Sequence, residues 1–257
     1  MGNTRLISID IARAICIILV VIGHFVPDNS PNWYITIHDI IYAFHMPLFM
    51  FLSGYVYWAT RKSLNYINFI WKKFQRLMIP YFFASIVVIT IKLLTETGML
   101  VENPVELSAF YKMLYLPVAG AFLWFVFALF LTFMIIPFFI TRKQILTLLI
   151  LSLIIYFIPV SFPKIFCLAQ FKSNLLYFVL GCVLFEWKNV RQVLDKIHYL
   201  LALIAFVSIY LLKTHIDINV INNILRILTA FIGVIFISNL SKQIETKTII
   251  TKNILVK

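Results

Sequence analysis

Apolar runs of about 20 residues follow one another along most of this chain, and short polar or basic segments separate them. Such a run is long enough for an α-helix to cross the hydrocarbon core of a bilayer, because each residue adds about 1.5 Å. The breaks between runs predict about eight helices, near residues 6–26, 35–58, 78–96, 119–140, 144–160, 173–187, 197–213 and 220–241. The pattern therefore predicts an all-α, polytopic transmembrane helix bundle.

Basic residues fall in alternate connecting segments, and cytoplasmic loops of membrane proteins are enriched in Lys and Arg. Segment 27–33 contains no basic residue, and the longest connection, 97–118, contains a single basic residue, Lys112. Both termini are therefore predicted to be cytoplasmic, and 97–118 is expected to hold a short amphipathic or re-entrant piece. The residues assigned to the cytoplasmic side are Arg5, Arg61, Lys62, Lys72, Lys73, Arg76, Arg142, Lys143, Lys188, Arg191, Lys196, Lys242, Lys247, Lys252 and Lys257.

Composition agrees with this pattern, since 62% of the 257 residues are hydrophobic and only 12% are charged. Soluble domains are roughly half apolar and a quarter charged. We therefore interpret residues 1–257 as a single integral membrane domain whose environment is the lipid bilayer. A formal net charge of +12 is compatible with nucleic-acid binding, but the basic residues form short clusters between apolar runs, so no nucleic-acid partner is expected.

The first predicted helix carries three ionisable side chains within RLISIDIARAICIILVVIGHF, residues 5–25. At about 100° per residue, Asp10, Arg13 and His24 fall on one stripe, and about 16 Å of rise separates Arg13 from His24. Ionisable groups inside a membrane are costly and usually line a cavity or a pathway. The stripe therefore predicts a functional path. The structural alternative is an Asp10–Arg13 ion pair near the cytoplasmic interface, with His24 at the opposite interface.

The second predicted helix adds His38 and His45, which are seven residues apart and share one face. We expect Pro47 to kink this helix. Ser53 and Gly54 permit close contact between helices. A core histidine is the structural interpretation of His45.

A basic cluster of Lys72, Lys73 and Arg76 precedes the third predicted helix. Spacings of three and four residues place such side chains on one helix face, where they can bind phosphate groups. The alternative is an ordinary cytoplasmic anchor of the positive-inside type.

These residues resemble a known family, the acyltransferase family 3 integral membrane proteins, and within it the fucose 4-O-acetylase-like branch. The similarity includes IDIARA around Asp10, Arg13 followed by ten residues and His24, and FHMPLFMFLSGY at 44–55. It also includes Lys73-x-x-Arg76 leading into Pro80-Tyr81 and LWFV at 123–126, with LLYFVLG at 175–181 as a looser match. Phe49-Met50 stands where the family has an aromatic pair. Members usually have more helices, so a C-terminal truncation or a shorter variant is expected.

The resemblance implies transfer of an acyl group, chiefly acetyl, from cytoplasmic acyl-CoA to a hydroxyl of an envelope sugar, a polysaccharide or a lipid-linked sugar. The expected location is the bacterial plasma membrane. His24 would act as the general base, for which its imidazole must be neutral, and Arg13 would orient the CoA arm or pair with Asp10. The expected donor- and acceptor-binding residues are Lys72, Lys73, Arg76, His45, Ser53 and Trp124, with Trp124 packing on the acyl or pantetheine chain.

Two other classes remain open from the residues alone. A transporter or exporter of an envelope glycan also uses intramembrane Asp, Arg and His. A haem or metal protein that uses His24, His38 and His45 has less support, because nothing else in the sequence indicates electron transfer. Cys16, Cys167 and Cys182 show no metal-ligand spacing, so no metal or haem is expected.

Overall fold

The computed structural model describes residues 7–25, 27, 29–61, 65–95, 104–160, 162–216 and 218–255, and within them it is helical without any β-strand. Outside these residues lie three of the basic residues assigned to the cytoplasmic side, Arg5, Lys62 and Lys257, and the two ends of the first predicted helix. The helices are α1 Ile7–His24, α2 Asn32–Tyr42, α3 His45–Thr60, α4 Tyr66–Lys73, α5 Ile79–Thr95, α6 Ala109–Lys112, α7 Trp124–Ile135, α8 Arg142–Phe157, α9 Leu168–Glu186, α10 Lys188–Asp195, α11 Tyr199–Thr214 and α12 Asn219–Leu255.

Each of the eight predicted segments contains a helix, so the all-α fold class is confirmed. By length and composition, five stretches of the described residues can cross a membrane, and α10 with α11, bent by 90°, adds a sixth if the pair counts as one span. Helices α7 and α8, with 12 and 16 residues, are shorter than the 18 residues of α1. The five stretches that can cross a membrane are Ile7–His24, Asn32–Thr60, Tyr66–Thr95, Ile165–Glu186 and Asn219–Thr248.

The cytoplasmic location of both termini stays a prediction.

The second predicted helix is divided into α2 and α3 by a turn at Ala43–Phe44. The break lies one turn before Pro47 and not at the proline itself. Proline has no N–H, and its ring crowds the carbonyl four residues earlier, which here belongs to Ala43. The expected kink is therefore present, displaced toward the N-terminus by one helical turn.

The third predicted helix begins at Tyr66 and not near residue 78, so the basic cluster lies inside the helix. The Asn65 side chain caps the new start by accepting a hydrogen bond from the Ile67 N–H at 3.0 Å. A π-helical turn, Phe74–Met78, joins α4 to α5, and the Ile79 N–H bonds to the Phe74 carbonyl five residues back. Pro80 follows directly, and it cannot donate to the carbonyl of Arg76.

Two further boundaries differ from the sequence prediction. The last helix continues to Leu255, well beyond the predicted end at 241, because the polar residues that follow include good helix formers and no glycine or proline. Within the described part of the long connection, 104–118, the helical piece is the four-residue α6.

The chain divides into two compact units, one within Met1–Ala59 and Tyr177–Lys257 and the other within Thr60–Leu176. In the first unit, apolar residues of α1, α3, α11 and α12 form the core. The buried members are Ala12, Cys16, Phe44, Leu48, Phe51, Leu52, Phe206, Val234 and Ile237. The single-domain interpretation stays a prediction.

The second unit is organised around Tyr81 of α5, which is 2% exposed. Its hydroxyl lies 2.9 Å from the Met113 carbonyl and 3.2 Å from the Leu116 carbonyl, so it ties the segment after α6 to α5. The Tyr81 ring packs edge-on against Phe127 of α7, with centroids 4.8 Å apart. These contacts place the start of α7, and with it Trp124, beside α5.

Candidate functional site

The polar stripe of α1 lies away from the buried line of that helix. Ala12, Cys16 and Gly23 are the buried residues of α1, and at about 100° per residue they fall within about 40° of one another. Asp10, Arg13 and His24 lie within about 60° of one another, about 80° to 140° around the helix from that buried line. Asp10 and Arg13 are half-buried, and His24, the last residue of α1, is exposed.

His24 meets an aromatic side chain from α2. The Tyr42 hydroxyl lies 3.0 Å from Nδ1 of His24, and the two rings are edge to face at 5.8 Å between centroids. Sequence reasoning did not single out Tyr42. The available signal was its spacing, because Tyr42 follows His38 by four residues and precedes His45 by three, which places all three on one side of the chain.

Two more histidines complete the cluster. The Tyr42 ring lies 4.2 Å from the His38 ring and 4.7 Å from the His45 ring, measured between centroids. The rings of His24 and His45 are 6.5 Å apart. The structure therefore brings together His24 and His45, two of the predicted site residues, and adds Tyr42 and His38. We call these four side chains the histidine–tyrosine cluster.

His45 is held more rigidly than His24, because it is only 2% exposed. Its Nδ1 lies 2.8 Å from the Ile41 carbonyl. A carbonyl oxygen can only accept, so Nδ1 of His45 carries the proton. The ring is thus a buried, hydrogen-bonded imidazole that packs against Tyr42.

Two small residues of α1, Cys16 and Gly23, allow His45 and Tyr42 to pack closely against that helix. The Cys16 thiol donates to the backbone carbonyl of His45 at 3.3 Å, which fixes the start of α3 on α1. Seven residues further along α1, a Cβ added at Gly23 would lie 3.1 Å from Cε2 of Tyr42. A larger residue at position 23 would therefore crowd the Tyr42 ring.

Ser53 lies on α3, eight residues after His45, and is half-buried. The neighbouring Gly54 is where α3 meets the part of α9 that belongs to the same unit, because a Cβ at Gly54 would overlap the Phe178 carbonyl. Gly181 makes the reciprocal contact with the Phe51 carbonyl. The predicted close packing at Ser53-Gly54 is therefore present, and a role of Ser53 in binding stays a prediction.

The basic cluster and Trp124 belong to the second unit. The three basic residues differ in their exposure to solvent. Lys72 and Arg76 are exposed, whereas Lys73 is half-buried. The Lys73 ammonium lies 3.7 Å from the centre of the Phe133 ring and 5.4 Å from that of Phe69, a cation–π arrangement. Trp124, also half-buried, opens α7 and packs at the edge of the core around Tyr81.

The described residues hold no group of three or more His, Cys, Asp or Glu side chains arranged to bind a metal ion. His38, the third histidine of the cluster, has its Nδ1 3.1 Å from the Asp39 carboxylate. The cluster is thus an arrangement of imidazoles and a phenol, and such groups transfer protons and bind hydroxyl groups.

Comparison with known families decides what kind of protein carries this cluster. The family model described as an acyltransferase domain matches residues 6–253. The chain belongs to the acyltransferase 3 family. With five stretches long and apolar enough to cross a membrane among the residues that the structure describes, it is a multi-pass member of that family.

Two proteins with similar sequences are nodulation proteins from rhizobia. The chain is 35% identical over 97 residues to nodulation protein NolL of Sinorhizobium fredii (strain NBRC 101917 / NGR234), which covers 36% of this chain and 26% of that protein. It is 29% identical over 141 residues to nodulation protein NolL of Mesorhizobium japonicum (strain LMG 29417 / CECT 9101 / MAFF 303099), covering 52% and 36%. The chain thus spans about a quarter to a third of these relatives. No solved structure matches it.

Proposed function

We propose that this acyltransferase 3 protein is an O-acyltransferase of the bacterial plasma membrane. It moves an acyl group, chiefly acetyl, from cytoplasmic acyl-CoA to a hydroxyl of an envelope sugar, polysaccharide or lipid-linked sugar. The observation that carries the proposal is the position of His24, exposed at the end of α1 with its ring bonded to Tyr42, in a chain that matches the family model over residues 6–253.

In the proposed reaction, His24 takes the proton of the acceptor hydroxyl as its oxygen attacks the thioester carbonyl. A C–O bond forms and the C–S bond breaks, and the proton held by His24 passes to the departing CoA sulfur. A positioned base contributes about 10² to 10⁴ in rate. His24 is exposed while its ring is hydrogen-bonded, and both properties suit a base that must reach a substrate.

The remaining candidate residues have supporting roles in this proposal. Arg13, about 16 Å from His24 along the axis of α1, orients the CoA arm, with Asp10 as its neighbour on the same flank. Lys72 and Arg76 are exposed cations that bind phosphate groups, and Lys73 adds positive potential from beside Phe133. The other proposed contacts to donor or acceptor are His45, Ser53 and Trp124.

The test of the proposal is O-acetylation of surface glycan in cells that lack the gene and are complemented with variants. His24→Ala is expected to lower acetylation at least a hundredfold, in line with a base that contributes about 10² to 10⁴. His215→Ala is the matched control, since His215 is an exposed histidine in the turn after α11. Immunoblots of the membrane fraction verify equal amounts of each variant.

Three results would count against the proposal. Unchanged acetylation in the His24→Ala strain would remove His24 as the base. No transfer from labelled acetyl-CoA to envelope material by the purified wild-type protein would remove the enzyme assignment. Uptake of a glycan into liposomes without any acyl donor would favour the transporter alternative.

A further inference from the structure

Tyr42 engages one specific nitrogen of His24. The hydroxyl lies 3.0 Å from Nδ1, and an imidazole can act as a base only through a ring nitrogen that carries no proton. With Nδ1 engaged by Tyr42, the proposed proton transfer uses the other ring nitrogen, Nε2. A phenol can donate or accept, so the contact is compatible with both tautomers of His24, and only the tautomer with its proton on Nδ1 leaves Nε2 able to act as a base.

The direction of the Tyr42 hydroxyl is set by its neighbours. His38 stacks on one side of the Tyr42 ring, with an angle of 31° between the planes, and His45 lies against it at 60°. Both neighbours are anchored, His38 to Asp39 and His45 to the Ile41 carbonyl. Gly23 supplies the space that the ring needs beside α1. A ring held in this way presents its oxygen to His24 with little loss of rotational entropy on bond formation.

From this geometry we propose that Tyr42 is a positioning residue, which orients the His24 ring and stabilises the tautomer in which Nδ1 carries the proton. This inference rests on the proposed function, in which His24 is the base. In the proposed arrangement, His24 donates its Nδ1 hydrogen to the phenolic oxygen of Tyr42, which is 43% exposed. When Nε2 takes the acceptor's proton, the Nδ1–H bond to Tyr42 remains and stabilises the imidazolium that forms.

The size of the effect follows from the chemistry of the partner. A carboxylate in this position can only accept and holds the tautomer strongly, whereas a phenol can donate or accept and holds it less strongly. Loss of the hydroxyl is therefore expected to remove part of the contribution of the base, and not all of it. We expect kcat to fall about tenfold to a hundredfold, within the 10² to 10⁴ that a positioned base supplies.

The experiment compares two variants that each remove one phenolic hydroxyl at the same end of α1. Tyr42→Phe removes the hydroxyl that bonds to His24. Tyr34→Phe is the matched control, because the Tyr34 hydroxyl bonds to the backbone carbonyls of Ile22 and Phe25 and not to His24. The readouts are kcat and KM for acetyl-CoA, and the ¹⁵N chemical shifts of the His24 ring in detergent-solubilised protein, assigned by comparison with His24→Gln.

Tyr42→Phe is expected to lower kcat with KM for acetyl-CoA unchanged, and to shift the His24 signals toward the tautomer with its proton on Nε2. Tyr34→Phe is expected to leave kcat and the His24 signals as in the wild type. The inference is overturned if Tyr42→Phe keeps the wild-type tautomer, or if both variants lose activity equally. If the wild-type protein transfers no acyl group, the proposed function fails while the ¹⁵N signals still decide the role of Tyr42.

Discussion

Two glycines, Gly54 and Gly181, decide how closely α3 approaches α9 within the first unit. At each position the opposing backbone lies where a side chain would begin, so the contact is backbone against backbone. Such contact is typical of membrane helices, where apolar burial alone gives no preference for a partner helix over lipid, and small residues allow close packing. The Cys182 thiol adds a hydrogen bond to the Gly54 carbonyl at 3.3 Å. Gly54 and Gly181 therefore determine the spacing of these two helices.

Gly54→Ala is expected to destabilise the protein, because its new Cβ must displace the Phe178 carbonyl. Overpacking of this kind costs about 1–3 kcal/mol, which a thermal unfolding assay in detergent will register as a lower melting temperature. Ser53→Ala serves as the stability control on the same helix. A melting temperature for Gly54→Ala equal to that of the control would contradict the close contact between the two backbones.

The basic cluster separates into two kinds of residue, and their variants are expected to differ. Lys72→Ala with Arg76→Ala should weaken acyl-CoA binding in a salt-dependent way, because exposed charges act through screened attraction. Arg142→Ala with Lys143→Ala removes the same charge from two exposed positions at the start of α8 and is the matched control. Titration of acyl-CoA by microscale thermophoresis at low and high salt measures the difference. Equal binding by both double variants would mean that the cluster serves only as a cytoplasmic anchor.

Lys73→Ala is expected to act on stability more than on donor binding, since its ammonium lies against the Phe133 ring. Loss of a cation–π contact costs about 0.5–2 kcal/mol. Thermal unfolding should therefore detect Lys73→Ala more clearly than Lys72→Ala, which removes an exposed side chain. The reverse order would show that Lys73 reaches solvent and belongs with the exposed cations.

At the scale of elements, a buried amide fixes the sharp bend between α10 and α11. The Asn239 side chain of α12 donates to the Leu194 carbonyl at 3.0 Å and to the Ile197 carbonyl at 2.8 Å. These carbonyls lie at the end of α10 and in the bend that precedes α11, where the regular hydrogen bonds of a helix stop, and the Leu194 carbonyl also accepts from the Ile197 N–H at 3.2 Å. An ion pair between Lys242 and Asp195 joins the same two elements. The angle of 90° between α10 and α11 is thus held by side chains of α12.

Asn239→Leu is expected to destabilise the bend by about 1–3 kcal/mol, because the part-buried carbonyls of Leu194 and Ile197 lose the amide donor, although the Leu194 carbonyl still accepts from the Ile197 N–H. Limited proteolysis after α10, together with the melting temperature, measures the effect. Asn189→Leu is the matched control at an exposed position of α10. If both variants are cleaved at the same rate, the bend is maintained by something other than the Asn239 amide.

At the scale of the whole molecule, the distribution of Lys and Arg predicts which side of the membrane each loop faces. The three native cysteines are buried, so they give little background in a labelling experiment with introduced cysteines. Asn32 at the start of α2 and Lys143 near the start of α8 are both exposed and lie in segments with opposite predicted locations.

In intact cells, Asn32→Cys is expected to react with a membrane-impermeant maleimide, and Lys143→Cys is expected to react only after the membrane is permeabilised. The reason is that positive charge is retained on the cytoplasmic side. Labelling is followed by a gel shift with a maleimide-linked polymer. Reaction of Lys143→Cys in intact cells, with protection of Asn32→Cys, would invert the predicted orientation.

The local signals in the sequence were sufficient for the fold class, since an apolar run of membrane length can satisfy its backbone only as a helix. They also placed His24 and His45 among the candidate residues, because ionisable groups in such runs stand out from their surroundings. Helix boundaries were less predictable. The break at Ala43–Phe44 and the start at Tyr66 depend on proline geometry and on a capping asparagine, and neither changes the hydrophobic pattern.

By itself, the sequence determined that this protein is a polytopic helical membrane protein with an acyltransferase 3 motif and a polar stripe on its first helix. Only the tertiary structure decided that Tyr42 meets Nδ1 of His24 and that Lys73 turns to Phe133 while Lys72 and Arg76 stay exposed. The physical reason is that hydropathy and spacing act along one helix. Contacts such as these depend on which small residues let two helices approach, and that is settled only when the helices pack.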